Sequence, residues 1–243
     1  MPMNDQRLTL LCFSYAGGSA AIYSRWGRLL PGIEVVAVDL PGRGLASQAT
    51  PLVSREALID YLLGHYGHFC VGRFALFGHS LGARIAFEFL LVLERVSGFR
   101  AMALFISGCL APERFSQAMR LRECDTSDAA LLEMLAGLGG TPPELIADPA
   151  RLSGVLPLIR ADFRLAIDLS KALRGTVSAP IQLLLGSRDK VTCLFQDYPG
   201  WARHTACTCQ VSVIDGDHFF IRSQFKRVAT VVGQILRGAP DEE

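Results

Sequence analysis

No stretch of the chain reads as a membrane span. Its longest mostly apolar run, Ala101–Ala111, is far short of the ~18 residues a helix needs to cross a bilayer. Neither sign of charge is in excess: Lys and Arg number 24 against 23 Asp and Glu, a formal net charge of +1. No long basic run interrupts this balance, which argues against nucleic acid or an anionic membrane as a partner. Internal repeats, low-complexity tracts and linker-like segments are missing too. The seven cysteines are odd in number and irregularly spaced, which speaks against a disulfide framework and for a reducing compartment. Cys207-Thr208-Cys209 is the one close pair, and nearby His204 has no companion, so no metal site is expected. Arg7 followed by Leu8–Phe13 faintly imitates a signal peptide. The apolar stretch is short, however, and Asp5 sits where a basic segment belongs. A buried first strand and a cytoplasmic protein are the expectation.

What is present is a large apolar fraction, 50% of 243 residues, enough for a core that needs no staples. Short apolar runs recur at Leu8–Phe13, Ile33–Leu40, Phe74–Phe77, Met102–Ile106, Ile181–Leu185 and Val211–Ile214. They do not alternate with polar residues, so both faces are expected to be buried, as in a parallel sheet covered by helices. Helical patterns lie between most of them, at Ala20–Leu30, Arg55–Tyr66 and Ala83–Val96, with Phe219–Leu236 closing the chain. This alternation predicts an α/β fold with right-handed crossovers. A single α/β domain over residues 1–243 is expected.

Residues 108–180 break the rhythm, being far longer than a crossover requires. Leu131, Leu132, Leu135 and Leu138 share a helical face. Thr141-Pro142-Pro143-Glu144 has the form of a capping box. Leu152, Val155, Leu156, Ile159, Phe163 and Ile167 make another stripe, with Pro157 expected to kink it or start a new helix. A helical insertion at about 110–178, on the side where parallel sheets bind ligands, reads as a lid.

Gly78-His79-Ser80-Leu81-Gly82 fits G-x-S-x-G, between a strand pattern and a helix pattern. In that context the pattern is a nucleophile elbow: a serine on a sharp turn, its hydroxyl above the sheet. Gly78 and Gly82 would be required because the turn leaves no room for a Cβ. A serine hydroxyl needs a positioned base, and only His204 and His218 follow Ser80. His204 falls late in an expected surface helix. His218 directly follows a strand and is preferred. Asp189, in the loop after the strand Ile181–Leu185, is the preferred acid to orient the imidazole. Asp215 and Asp217 compete but lie awkwardly close to His218, and Asp168 falls within a lid helix. For an oxyanion, the N–H of Leu81 and one from the loop Phe13–Gly18 are expected donors, Ala16 first and Gly17 close behind.

Taken in order, these motifs resemble the type II thioesterases that accompany nonribosomal peptide synthetases and polyketide synthases. Phe13-Ser14-Tyr15-Ala16-Gly17-Gly18-Ser19 is similar to the family's oxyanion loop, and Leu40-Pro41-Gly42-Arg43-Gly44 to its L-P-G-R-G. Leu138–Pro142 and Pro157–Phe163 resemble its lid motifs. Gly186–Asp189 and Gly216–Phe220 resemble its acid and histidine motifs. The resemblance implies Ser80, Asp189 and His218 as a triad with no metal or cofactor. It also implies an α/β-hydrolase fold, a substrate acylated on the phosphopantetheine arm of an acyl- or peptidyl-carrier protein, and a housekeeping role; a monomer is expected. Departures are Ser14 and Lys190 where prolines are usual, Asp217 where glycine is common, and an unfamiliar stretch at Arg114–Asp125. The competing expectations are an oxyester hydrolase of the same fold, a fatty-acyl chain-terminating thioesterase, and a non-catalytic binding protein.

Overall fold

The computed structural model describes residues 7–120, 127–141, 143–171 and 175–238. Asp5, Pro142 and residues 121–125 of the unfamiliar stretch lie outside them. Six strands form the sheet among the described residues: β1 (Leu8–Phe13), β2 (Ile33–Val38), β3 (Phe74–His79), β4 (Leu104–Ser107), β5 (Ile181–Gly186) and β6 (Cys209–Ile214). Their spatial order is β2-β1-β3-β4-β5-β6 and every pairing is parallel. The chain leaves β1 for β2 on one side, then returns to lay β3 on the other. The loops after β1 and β3 therefore diverge and open a crevice at the carboxyl ends of the strands, where open α/β sheets bind ligands.

The interior strands are mostly apolar because each face is covered by helices. Leu11, Phe13, Leu76, Leu104 and Ile106 point to one side, where α2 (Arg55–Tyr66) and α3 (Leu81–Ser97) pack. Leu10, Cys12, Phe77 and Phe105 point to the other, against α1 (Trp26–Leu29) and α10 (Phe225–Arg237). This is the two-residue period of a strand read against two buried surfaces. The edge strand β6 departs from expectation: Val211 and Val213 are 36% and 55% exposed, since β6 has a neighbour on one side only.

Two expected helices are interrupted. Ala20–Leu30 forms a 3-10 turn over Ala20–Tyr23 and then α1. Tyr23 and Trp26, three apart, both enter the core and meet edge to face at 5.1 Å, a spacing that suits the tighter turn. The closing helix breaks at Gln224 (φ −113°, ψ 27°) into α9 (Phe220–Ser223) and α10.

Between β4 and β5 lie α4 (Pro112–Arg120), α5 (Asp128–Leu138), α6 (Pro143–Ile146), a 3-10 turn at Pro149–Leu152 and α7 (Leu156–Lys171). α8 (Leu194–Ala202) connects β5 to β6. α7 begins one residue before Pro157, as a proline in the first turn allows. Leu131, Met134, Leu152, Leu156 and Ile159 make a small apolar cluster of their own. Among the described residues no helix is long and apolar enough to cross a membrane.

Candidate active site

The register of the sheet brings three loops together above the crevice. The first is the turn from β3 into α3. Ser80 sits there at φ 54°, ψ −119°, and is the one non-glycine residue with positive φ among those described. Such backbone is costly for a residue with a Cβ and persists only where its surroundings impose it. They do so here. A Cβ on Gly78 would lie 2.3 Å from the Gly82 carbonyl oxygen, and one on Gly82 would lie 2.3 Å from that of Phe13. The helix is pressed onto β1 and β3 so closely that both positions must be glycine. Ser80 N–H donates to the Ser107 carbonyl at 2.8 Å, tying the elbow to the end of β4.

The second and third loops follow β5 and β6. His218 is 3% exposed. Its Nε2 is 3.1 Å from Ser80 Oγ and its Nδ1 is 3.0 Å from Asp189 Oδ2. Asp189 also accepts from the Val191 N–H and the Thr192 hydroxyl, each at 2.8 Å. Burial alone would raise its carboxyl pKa. The bond and charge of His218, together with the Val191 and Thr192 donors, outweigh this and hold it below the ordinary range. An ionised carboxylate only accepts, so Nδ1 carries the ring proton and Nε2 turns its lone pair to the Ser80 hydroxyl.

The competing residues are occupied elsewhere. Asp215 pairs with Arg188 and accepts from the Ser187 hydroxyl. Asp217 caps its own turn by accepting from Phe219 N–H at 2.8 Å. Asp168 accepts from Arg55 N–H. His204 is no surface residue: it follows α8, is 5% exposed, and contacts the Gly175 carbonyl and Glu113. Edge-on packing by Phe87 and Trp201 explains why it is drawn inward.

His79, the variable residue of the elbow motif, has a part that the pattern alone did not reveal. It is completely buried, and burial lowers its pKa to about 3. The neutral ring donates from Nε2 to the His218 carbonyl at 2.9 Å and accepts at Nδ1 from the Ser107 hydroxyl at 2.8 Å. The elbow thus grips the backbone of the histidine loop.

The loop after β1 distinguishes the two expected oxyanion donors. Gly17 N–H is engaged by Asp162 Oδ2 at 2.7 Å. Ala16 and Leu81 N–H donate to no group among the described residues. Gly18 N–H donates to the Tyr15 carbonyl at 2.9 Å. In a trans peptide N–H and C=O point oppositely, so this bond turns the Ala16 N–H the other way. Ala16, Ser80, Leu81 and His218 all line a cavity of about 130 Å³, walled by Phe115, Met119, Phe163 and Ala166. A wider cavity of about 690 Å³ between α4, α5 and α7 shares Ala118, Met134, Leu138 and Phe163 with it.

An elbow serine, with a buried imidazole between it and a carboxylate, makes this chain a serine hydrolase of the α/β-hydrolase fold. Residues 8–236 match the thioesterase domain family. The chain belongs to that family, in its type II branch associated with nonribosomal peptide and polyketide synthesis, and is a thioesterase. It is 31% identical to thioesterase PikA5 of Streptomyces venezuelae, over 99% of this chain and 86% of the relative. Among solved structures it is similar to ClbQ from the colibactin pathway (TM-score 0.80, 27% identity, 96% of this chain and 98% of that one). It is also similar to YbtT, a type II thioesterase from the yersiniabactin pathway (TM-score 0.79, 28% identity, 97% of this chain and 95% of that one).

Proposed function

We propose that the enzyme clears acyl or aminoacyl groups from the phosphopantetheine arm of a carrier protein, with Ser80 as nucleophile, His218 as base and Asp189 as its orienting acid. The observation that carries this reading is the position of His218, within 3.1 Å of Ser80 Oγ and 3.0 Å of Asp189 Oδ2. His218 Nε2 takes the Ser80 proton as Oγ attacks the thioester carbonyl. The Leu81 and Ala16 N–H groups receive the oxyanion, aided by the positive end of α3. The C–S bond breaks, His218 returns the proton to sulfur, and an acyl-serine remains. Water attacks the ester while His218 takes its proton. The C–Oγ bond then breaks, Ser80 recovers the proton and the acid leaves. A thiol of pKa ~8.5 is a better leaving group than an amine and needs less acid assistance from His218.

The helices of residues 110–178 act as the lid of one domain, forming the acyl chamber and the carrier-facing wall. The pathways in which ClbQ and YbtT are described support a carrier-bound substrate. We take the enzyme to be a cytoplasmic monomer. The test is mass spectrometry of acyl-loaded carrier proteins before and after treatment, set beside the same acyl groups as simple oxyesters. Faster release from carriers is expected; preference for the oxyesters would favour a carboxylesterase.

A further inference from the structure

The steps above make no use of the buried ion pair between Arg43 and Asp162, whose side chains are 4% and 0% exposed. Arg43 Nη2 donates to Asp162 Oδ1 at 2.5 Å and Nη1 donates to Oδ2 at 3.0 Å. Nη1 also donates to the Gly18 carbonyl at 3.3 Å, while Gly17 N–H donates to Asp162 Oδ2 at 2.7 Å. The pair therefore closes a ring with two consecutive residues of the loop after β1, Gly17 and Gly18. Asp162 comes from α7, and Ile159, one turn earlier on the same face, lies over Gly17: a Cβ there would be 3.0 Å from Ile159 Cγ1.

A buried ion pair kept for stability alone contributes little net, because desolvation offsets attraction. This one instead distributes its bonds to the loop that presents Ala16. Gly17 N–H is drawn to Asp162, and Gly18 is held at its carbonyl while its N–H holds Tyr15. The Ala16 N–H is left pointing away from these partners. The charges also matter. A lone carboxylate here would oppose the developing oxyanion, and the Arg43 guanidinium neutralises it.

We propose that Arg43 and Asp162 are positioning residues for the oxyanion-binding loop, and that hydrolysis depends on α7 being seated against that loop. This rests on the reading of Ser80 as nucleophile and Ala16 as oxyanion donor. The insertion is then more than a cover over the substrate: α7 holds the loop at Gly17 from 145 residues away in sequence.

The test compares Arg43→Met, Arg43→Lys and Asp162→Asn with wild type in two readouts. One is steady-state hydrolysis of a short acyl N-acetylcysteamine thioester. The other is the affinity for an alkyl boronic acid, which forms a tetrahedral adduct on the nucleophile. Arg43→Met, which strands the carboxylate, is expected to lower kcat about 10- to 100-fold and weaken the boronate in proportion, with KM changed less than about twofold. Arg43→Lys keeps the charge but not the fork and is expected to fall between. Asp162→Asn keeps an oxygen for Gly17 N–H and is expected to lose less activity than Arg43→Met, whatever its melting temperature. Activity that instead follows melting temperature across the series, with boronate affinity of the folded protein unchanged, overturns the proposal. If Arg43→Met does not fold, the other two variants decide by the same comparison. Boronate binding that survives Ser80→Ala would instead sink the nucleophile reading.

Discussion

His218 Nε2 lies 3.1 Å from Ser80 Oγ although 138 residues separate them in the chain. Two loops make the meeting possible, and each is held by its neighbour. Asp189 fixes Nδ1, and His79 fixes the carbonyl of His218 itself.

The acid can be identified by comparing two carboxylates. Asp189→Asn is expected to cut kcat by up to about 10⁴-fold, because an amide that donates to Nδ1 favours the wrong imidazole tautomer. Asp217→Asn should leave kcat within about threefold, since Asp217 accepts from Phe219 N–H and does not reach the ring. Steady-state kinetics on one thioester decide between them; a reversed order would reassign the acid.

Protonation of His79 is expected to lower stability in mild acid. Its folded pKa lies near 3 against 6.5 for the free side chain, so the unfolded chain takes up the proton first. Stability is full above pH 6.5 and falls as pH drops through 6.5 toward 3. At pH 5 the loss is about 2 kcal/mol. His79→Gln, which can serve both Ser107 and His218, should remove that slope. Thermal melts from pH 7.5 to 5 would show it; equal slopes in the two proteins would reject it.

Asp189 acts in the opposite sense at lower pH. Its folded pKa is depressed below the ordinary 3.8, so its contribution is present above that value and lost as pH falls below it. Asp189→Asn melts should therefore converge on wild type as pH is taken below about 3.8.

The elbow glycines tolerate no side chain. Gly82→Ala places a Cβ 2.3 Å from the Phe13 carbonyl, a backbone atom at the end of β1. A stability loss of about 3 kcal/mol, read from urea unfolding, is expected. An unchanged midpoint would mean that the helix stands further off the sheet.

Acyl length should be set where the two cavities share lining residues. Ala118 lines both, so Ala118→Trp is expected to fill space that a long acyl chain would need. kcat/KM should fall at least about tenfold for an octanoyl thioester and stay near wild type for acetyl. A uniform fall across chain lengths would place the acyl group elsewhere.

Local pattern made much of the framework legible. Leu8–Phe13 is a strand over the same six residues its apolar run predicts, and Arg55–Tyr66 is the predicted helix. Ser80, Asp189 and His218, which the structure brings within hydrogen-bond reach of one another, could be picked out because each follows a strand, where loops carry chemistry. Relations created by packing were not readable. Nothing near Asp162 in sequence points to Arg43, and the burial of His204 depends on Phe87 and Trp201. The break in Ala20–Leu30 follows from where Tyr23 and Trp26 fit against Phe77. The exposure of Val211 and Val213 reflects strand order, which apolar content does not encode.

The central claim is that Ser80 carries the acyl group between the thioester and water. Its most direct test is rapid quenching of the enzyme with an acyl-loaded carrier protein, followed by intact-mass and peptide mass spectrometry. The expected result is an acyl adduct on the peptide containing Ser80 that decays as free acid appears, with the carrier left loaded by Ser80→Ala. An adduct on another residue, or carrier unloading by Ser80→Ala near the wild-type rate, would contradict it.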